Sequence, residues 1–422
     1  MTGRLRLRAH TVLAGPELRS IPDGAILIED GRIAAVGSDA QVPRPDSCRS
    51  IELADATLMP GLIDCHMHTF GVDSTRLHLL ATEREPYRAA RALSELKRML
   101  HAGFTSARCL GSTIGPDLRR SIDDGFAEGP RLKVAGAFIS STSGTWDSRS
   151  VSLSAARLTG EVADGVDGLV QAVRQRVREG ADFIKLGLSK GGVHDRYHAW
   201  GDDPLQQVPT YSLEEVTAAV LEAHRNGLLV SAHAIGEAPV RLALEAGIDI
   251  IEHGYGITPQ TRARIVESGR IVVTTISQLH FHRAAYDIHR YPQWERDVYE
   301  RHWAAMRRDF ELGLQAGVRF ALGSDLIGAP THPLHEAAME FVLAVEWGMS
   351  ERQALTAGTI VAAEALGMAS RTGSIEPGKF ADIVAVAGDP TREIDAVREP
   401  VLVVKEGIVV AGTGRIREQL DG

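Results

Sequence analysis

Six side chains in this sequence have the types and positions to hold metal ions: His66, His68, Lys185, His233, His253 and Asp325. The first two stand in Met59-Pro60-Gly61-Leu62-Ile63-Asp64-Cys65-His66-Met67-His68, an apolar run that ends in His-x-His. Side chains two apart on a strand share a face, so His66 and His68 can grip one ion together. A lone His-x-His is weak evidence, but each of the other four also stands in or at the end of a strand-like run. Imidazoles and carboxylates suit Zn²⁺ and similar divalent ions. Lys185, in Asp182-Phe183-Ile184-Lys185-Leu186-Gly187-Leu188, is costly to bury as an ammonium. Burial and nearby cations lower an amine's pKa, and a neutral ε-amine can add CO2 to give a carbamate whose two oxygens bridge two metals. An outward-facing lysine is the bland alternative, and His233 or His253 taken singly is as readily a satisfied core histidine. Asp325 alone is equally ligand or loop cap. Together the six make a two-metal hydrolytic site.

The elements that must position them follow from hydrophobic patterning. Between residues 59 and 375, strand-like runs alternate with helical ones. The strands are expected at Leu62–His66, Thr105–Cys109, Leu132–Ile139, Phe183–Leu188, Leu228–His233, Ile248–His253, Ile271–Ile276 and Phe320–Asp325. Helices are expected at Tyr87–His101, Leu169–Glu179, Leu213–Asn226 and Trp294–Ala316, with Ser212 and Glu215 forming a capping box at the third. Eight such units fit a (β/α)8 barrel, whose active site lies at the C-terminal strand ends. Residues 1–58 and 376–422 read as short strands and hairpins, Asp30-Gly31 being one tight turn. The two ends are expected to combine into a small β-sandwich domain beside the 59–375 barrel.

Composition narrows the function classes. The chain has 422 residues, with 46 Lys+Arg against 55 Asp+Glu and a formal charge of −9, which argues against a nucleic-acid footprint. Three cysteines (Cys48, Cys65, Cys109) without CxxC spacing fit a reducing compartment. There is no signal-peptide apolar core at the N-terminus and no run of about 18 apolar residues. A soluble cytoplasmic protein without membrane or nucleic-acid partners is expected, as a homo-oligomer.

The motifs resemble the amidohydrolase superfamily, nearest the branch of imidazolonepropionase-like Xaa-Pro and related dipeptidases. The resemblance is carried by Pro60–His68, Asp182–Lys185, Ala232-His233-Ala234, Ile251-Glu252-His253-Gly254, Gly323-Ser324-Asp325 and Gly373–Asp382. It implies that His66, His68 and Asp325 hold one metal ion and His233 and His253 the other. The Lys185 carbamate would bridge them, and Asp325 would shuttle the proton. The implied activity is hydrolysis of a peptide or N-acyl amino acid amide bond in a small molecule or short peptide. Two departures affect specificity. Where relatives often carry a Gly-Gly-His-Gly-type motif, this chain has Ser141–Asp147 including Trp146, and Ile235 replaces a second histidine. Arg196, Tyr211 and His332 are further candidates for substrate contact. The same site acting on a cyclic amide, lactone, carbamate or modified natural-product peptide is the rival activity, and a metal-free structural relative is the non-enzymatic one.

Overall fold

Each apolar run that ends in a metal-binding type of side chain becomes a strand of one parallel barrel. A computed structural model describes residues 3–147, 152–159, 161–189 and 208–413. The eight barrel strands are Leu62–Met67, Phe104–Cys109, Arg131–Val134, Phe183–Gly187, Leu229–Ala234, Ile250–His253, Ile271–Val273 and Arg319–Ala321. They form a three-stranded and a five-stranded parallel set. One seam closes where Asp182 N donates to Val134 O (2.8 Å) and Gly187 N to Ile139 O (2.9 Å). The other closes where Cys65 N donates to Leu322 O (3.0 Å) and His68 N to Leu326 O (2.9 Å). Helices Glu85–His101, Gly165–Glu179, Leu213–Arg225 and Gln293–Ala316 match the expected ones. Both halves of the Ser212/Glu215 capping box are present.

Three strands end three or more residues earlier than the apolar runs predict, for local reasons. The third stops at Val134 because Gly136 turns to φ 72°. The seventh stops at Val273, and Ile276 opens helix Ile276–Ala285 after Thr275 adopts φ 136°. The eighth stops at Ala321, leaving Asp325 beyond the strand at φ 53°. Functional side chains thus leave the barrel from its strand ends and the turns just after them.

The two chain ends do combine into one small β-domain, a continuous seven-stranded sheet joined where Arg49–Pro60 pairs antiparallel with Ile383–Ala387. One of its faces packs Leu7, Val12, Ile26, Ile51, Leu58, Ile383 and Leu402 into a core separate from that of the barrel. The Asp30-Gly31 hairpin has both residues at positive φ (49° and 77°), the geometry that matches strand twist in a two-residue turn. Gly61 joins this sheet to the first barrel strand, and a Cβ there would lie 2.2 Å from Thr105 Oγ1. No helix among the described residues is long and apolar enough to cross a membrane.

Candidate metal centre

His66 and His68 leave the first barrel strand on its inner face, as period-two alternation requires. Asp64, two residues earlier on that face, accepts from His66 N (2.9 Å) and Ser324 N (3.0 Å), locking the first strand to the turn after the eighth. That turn delivers Asp325. Its Oδ1 lies 3.3 Å from His66 Nε2 and 3.2 Å from His68 Nε2, and one ligand atom from each of the three fits within 4.8 Å of the others. All three are buried.

The remaining candidates converge on the same point. The His253 ring lies 5.1 Å from that of His66 and 4.5 Å from that of His233. Lys185 is 1% exposed in the fourth strand. Its Nζ and the Nε2 of His233 are buried with no hydrogen-bond partner among the described residues. Buried polar atoms are almost always satisfied, so two such atoms among imidazoles and a carboxylate fit a bound cation group.

The second ring nitrogens explain why the imidazoles suit a metal. His68 Nδ1 lies 3.0 Å from Gly111 O. A carbonyl only accepts, so Nδ1 carries the proton and Nε2 keeps its lone pair. His66 Nδ1 lies 2.7 Å from Glu252 Oε2, with the same consequence. His253 Nδ1 meets Thr275 Oγ1 at 2.8 Å. Such partners orient ligating histidines and raise their basicity.

The electrostatics of Lys185, His233 and His253 agree with this assignment, whereas for His66 the pull of Asp325 and Glu252 outweighs burial and raises the imidazole pKa. Burial brings the Lys185 amine down to about 8, against the opposing pull of Glu252 and Asp325. Burial also drives His233 and His253 well below the usual imidazole value, with neighbouring cationic groups adding to it. For Asp325 burial alone would raise the pKa, but His66 and His68 hold the carboxyl well below its usual range. Glu252 behaves likewise, Arg108, His66 and Lys185 outweighing its burial.

Sequence reading missed the outer layer. Arg108 Nη2 donates to Glu252 Oε1 (3.2 Å), and Ser231 donates to the same oxygen. Glu340 accepts from the N–H groups of Thr275 (3.0 Å), Ile276 (2.9 Å) and Ser277 (2.7 Å) and from the Thr274 and Ser277 hydroxyls. It thereby holds the turn carrying Thr275. Asp64 alone carried a sequence signal, its i−2 spacing from His66.

The expected substrate residues separate. A cavity of about 280 Å³ beside His68 is lined by Phe70, Arg88, Phe138, Trp146 and Glu161 among others. Trp146 packs there, its ring 5.5 Å from that of His68. Tyr211 does not line this cavity: it is buried, and its hydroxyl donates to Ala163 O (2.9 Å). His332 does not line it either. Its Nδ1 meets Thr331 Oγ1 (2.7 Å), its Nε2 meets Gln278 O (3.3 Å), and burial lowers its pKa to about 4. Arg196 lies outside the described residues.

Comparison with known proteins agrees with the geometry. The amidohydrolase family model matches residues 57–410. Ochratoxinase from Aspergillus niger is 31% identical over 93% of this chain and 84% of its own length. The crystal structure of a prolidase complexed with N-methylphosphonate-L-proline superposes with a TM-score of 0.87 at 28% identity, covering 97% of this chain and 100% of that one. A Xaa-Pro dipeptidase with methionine bound in its active site gives 0.85 at 28% identity, covering 96% and 99%. The match over most of its length, together with the His-His-Asp group, shows that this chain belongs to the amidohydrolase family and is a metal-dependent amidohydrolase.

Proposed function

We propose that the chain hydrolyses the amide bond of a dipeptide or N-acyl amino acid, using two divalent ions, zinc foremost, and a carbamate on Lys185. His66, His68 and Asp325 would hold one ion, His233 and His253 the other, with the carbamate oxygens shared between them. The observation that carries this reading is the convergence of six buried side chains, Lys185 Nζ and His233 Nε2 being without hydrogen-bond partners among the described residues. The amine pKa of about 8 leaves a usable neutral fraction of Lys185 near neutrality, and addition of CO2 gives the carbamate and releases one proton. When bound, the ions supply Lewis acidity, acidifying water and polarising the scissile carbonyl.

The chain's own groups do the rest. Asp325 is ionised, so it accepts a proton from the attacking water and returns it to the departing amine nitrogen. Gly111 O and Glu252 keep Nε2 of His68 and His66 directed inward. The substrate occupies the cavity beside His68, where Phe70, Phe138 and Trp146 exclude water from one side. The names of the relatives, a Xaa-Pro dipeptidase and a prolidase complexed with N-methylphosphonate-L-proline, support an amide whose neighbour can be cyclic.

The test is elemental analysis of metal-reconstituted protein combined with a dipeptide and N-acyl amino acid library read by released amine. Close to two ions per chain and release of an amino acid are expected. A metal content near zero after reconstitution overturns the proposal and is the result that a metal-free structural role predicts.

A further inference from the structure

Five arginines are buried in the described structure: Arg6, Arg88, Arg108, Arg176 and Arg262. Four have a carboxylate within ion-pair distance: Arg6 on Asp39, Arg108 on Glu252 (3.2 Å), Arg176 on Glu179 (3.1 Å) and Arg262 on Asp309 (2.9 Å). Arg88 is the exception. Its Nε donates to Phe70 O at 2.9 Å and its Nη1 makes a long contact of 3.4 Å to Thr113 Oγ1. No described carboxylate pairs with it, although it is only 5% exposed. A buried guanidinium without an anion bears a desolvation cost that a paired one recovers.

This guanidinium lines the cavity beside His68. Around it stand Phe70, stacked on His68 with ring centres 4.8 Å apart, and Trp146, whose ring lies 5.4 Å from both Phe70 and Phe138. Leu77, Leu80 and Ala81 complete an apolar wall. Glu85 and Glu161 also line the cavity. They act on Arg88 through space and partly offset the effect of its burial, yet leave the fork of donors open for a closer anion. Planar bidentate donors of this kind favour carboxylates.

We infer that Arg88 is the anion-recognition residue of the substrate site. The substrate carries a carboxylate that pairs with Arg88 and a flat apolar group that seats against Phe70, Phe138 and Trp146. The inference rests on the proposed amide hydrolysis at this site and adds the residue that receives the substrate's carboxylate and the shape of the group beside it.

Four amides test it with metal-loaded protein: neutral N-(2-phenylethyl)benzamide, N-benzoylphenylalanine with a carboxylate on the amine side, N-(2-phenylethyl)-3-carboxybenzamide with one on the acyl side, and N-(2-phenylethyl)-3-(aminomethyl)benzamide with a cation. One of the acids is expected to exceed the neutral amide in kcat/KM by about 10–100-fold, the scale of a charged hydrogen bond, chiefly through KM. Arg88→Gln, which keeps a donor for the Phe70 carbonyl, should bring that ratio close to one, and Arg88→Lys should keep part of it. Metal content and melting temperature are measured on the same samples. A wild-type ratio near one for both acids, a preference for the cationic amide, or an unchanged ratio in Arg88→Gln overturns the inference. Absence of hydrolysis for all four counts against the proposed activity instead. Calorimetric binding of N-benzoylphenylalanine and of the neutral amide then decides on Arg88: selective loss of acid binding in Arg88→Gln supports it, and equal binding overturns it.

Discussion

Glu252 sets its Oε2 2.7 Å from His66 Nδ1 while its chain neighbour His253 turns its ring to within 5.1 Å of the same histidine. Adjacent residues of a regular strand point to opposite faces. The pair converges because His253 leaves the strand at φ 70°, a conformation that costs a non-glycine residue about 1 kcal/mol or more and persists where surrounding contacts hold it. Thr275 at His253 Nδ1 supplies one such contact.

Glu252→Gln should weaken metal binding by about 10–100-fold, the usual effect of losing a carboxylate behind a ligating histidine. The amide can no longer demand a proton on His66 Nδ1, and Arg108 loses its anionic partner. Competition with a metal-chelating dye reads the change. An affinity equal to that of the wild type would show that something other than Glu252 orients His66.

Glu340 reaches the centre through a longer chain, from its carboxylate to the Thr275 turn to His253 Nδ1. In Glu340→Gln the amide NH2 must face N–H and hydroxyl donors, so several buried bonds are lost at once. Destabilisation on the order of 3 kcal/mol is expected by denaturant unfolding. Metal content should fall first in the half of the site that contains His253. Full stability with full metal content would show that the turn is held by other contacts.

Lys185→Ala should lose metal and activity together, with short carboxylic acids such as propionate restoring part of both by standing in for the carbamate. Lys185→Arg should do no better than Ala, because a guanidinium does not form the carbamate. A variant that keeps two ions and full turnover without added acid would remove the carbamate from the mechanism.

Asp325→Asn separates holding from chemistry. The amide keeps one ligand oxygen but accepts no proton, so kcat should fall by about 10²–10⁴ while KM changes little. Because Asp325 also touches both His66 and His68, metal content must be read on the same sample. A metal-replete variant with near-normal kcat would move the proton transfer to another group.

The sequence by itself determined the barrel, the order of its strands, the small β-domain from both chain ends and the convergence of His66, His68, His233, His253 and Asp325. These follow from hydrophobic period and from side chains standing at strand ends, which a parallel barrel must gather at one mouth. Ser212 and Glu215 were legible for the same local reason. Only the tertiary structure decided the layer behind the ligands. Glu252 sits out of phase with His253, the ligand of its own strand, and Arg108 and Glu340 come from segments 144 and 63–66 residues away from the groups they hold. Tyr211 and His332 have the chemistry of substrate ligands in sequence, yet their polar atoms are bonded to Ala163, Thr331 and Gln278. Arg88 reads as one more helix-surface arginine until the fold buries it beside Phe70 with no ion-paired carboxylate among the described residues. Pairing and burial are non-local, and residue type and spacing along a chain do not encode them.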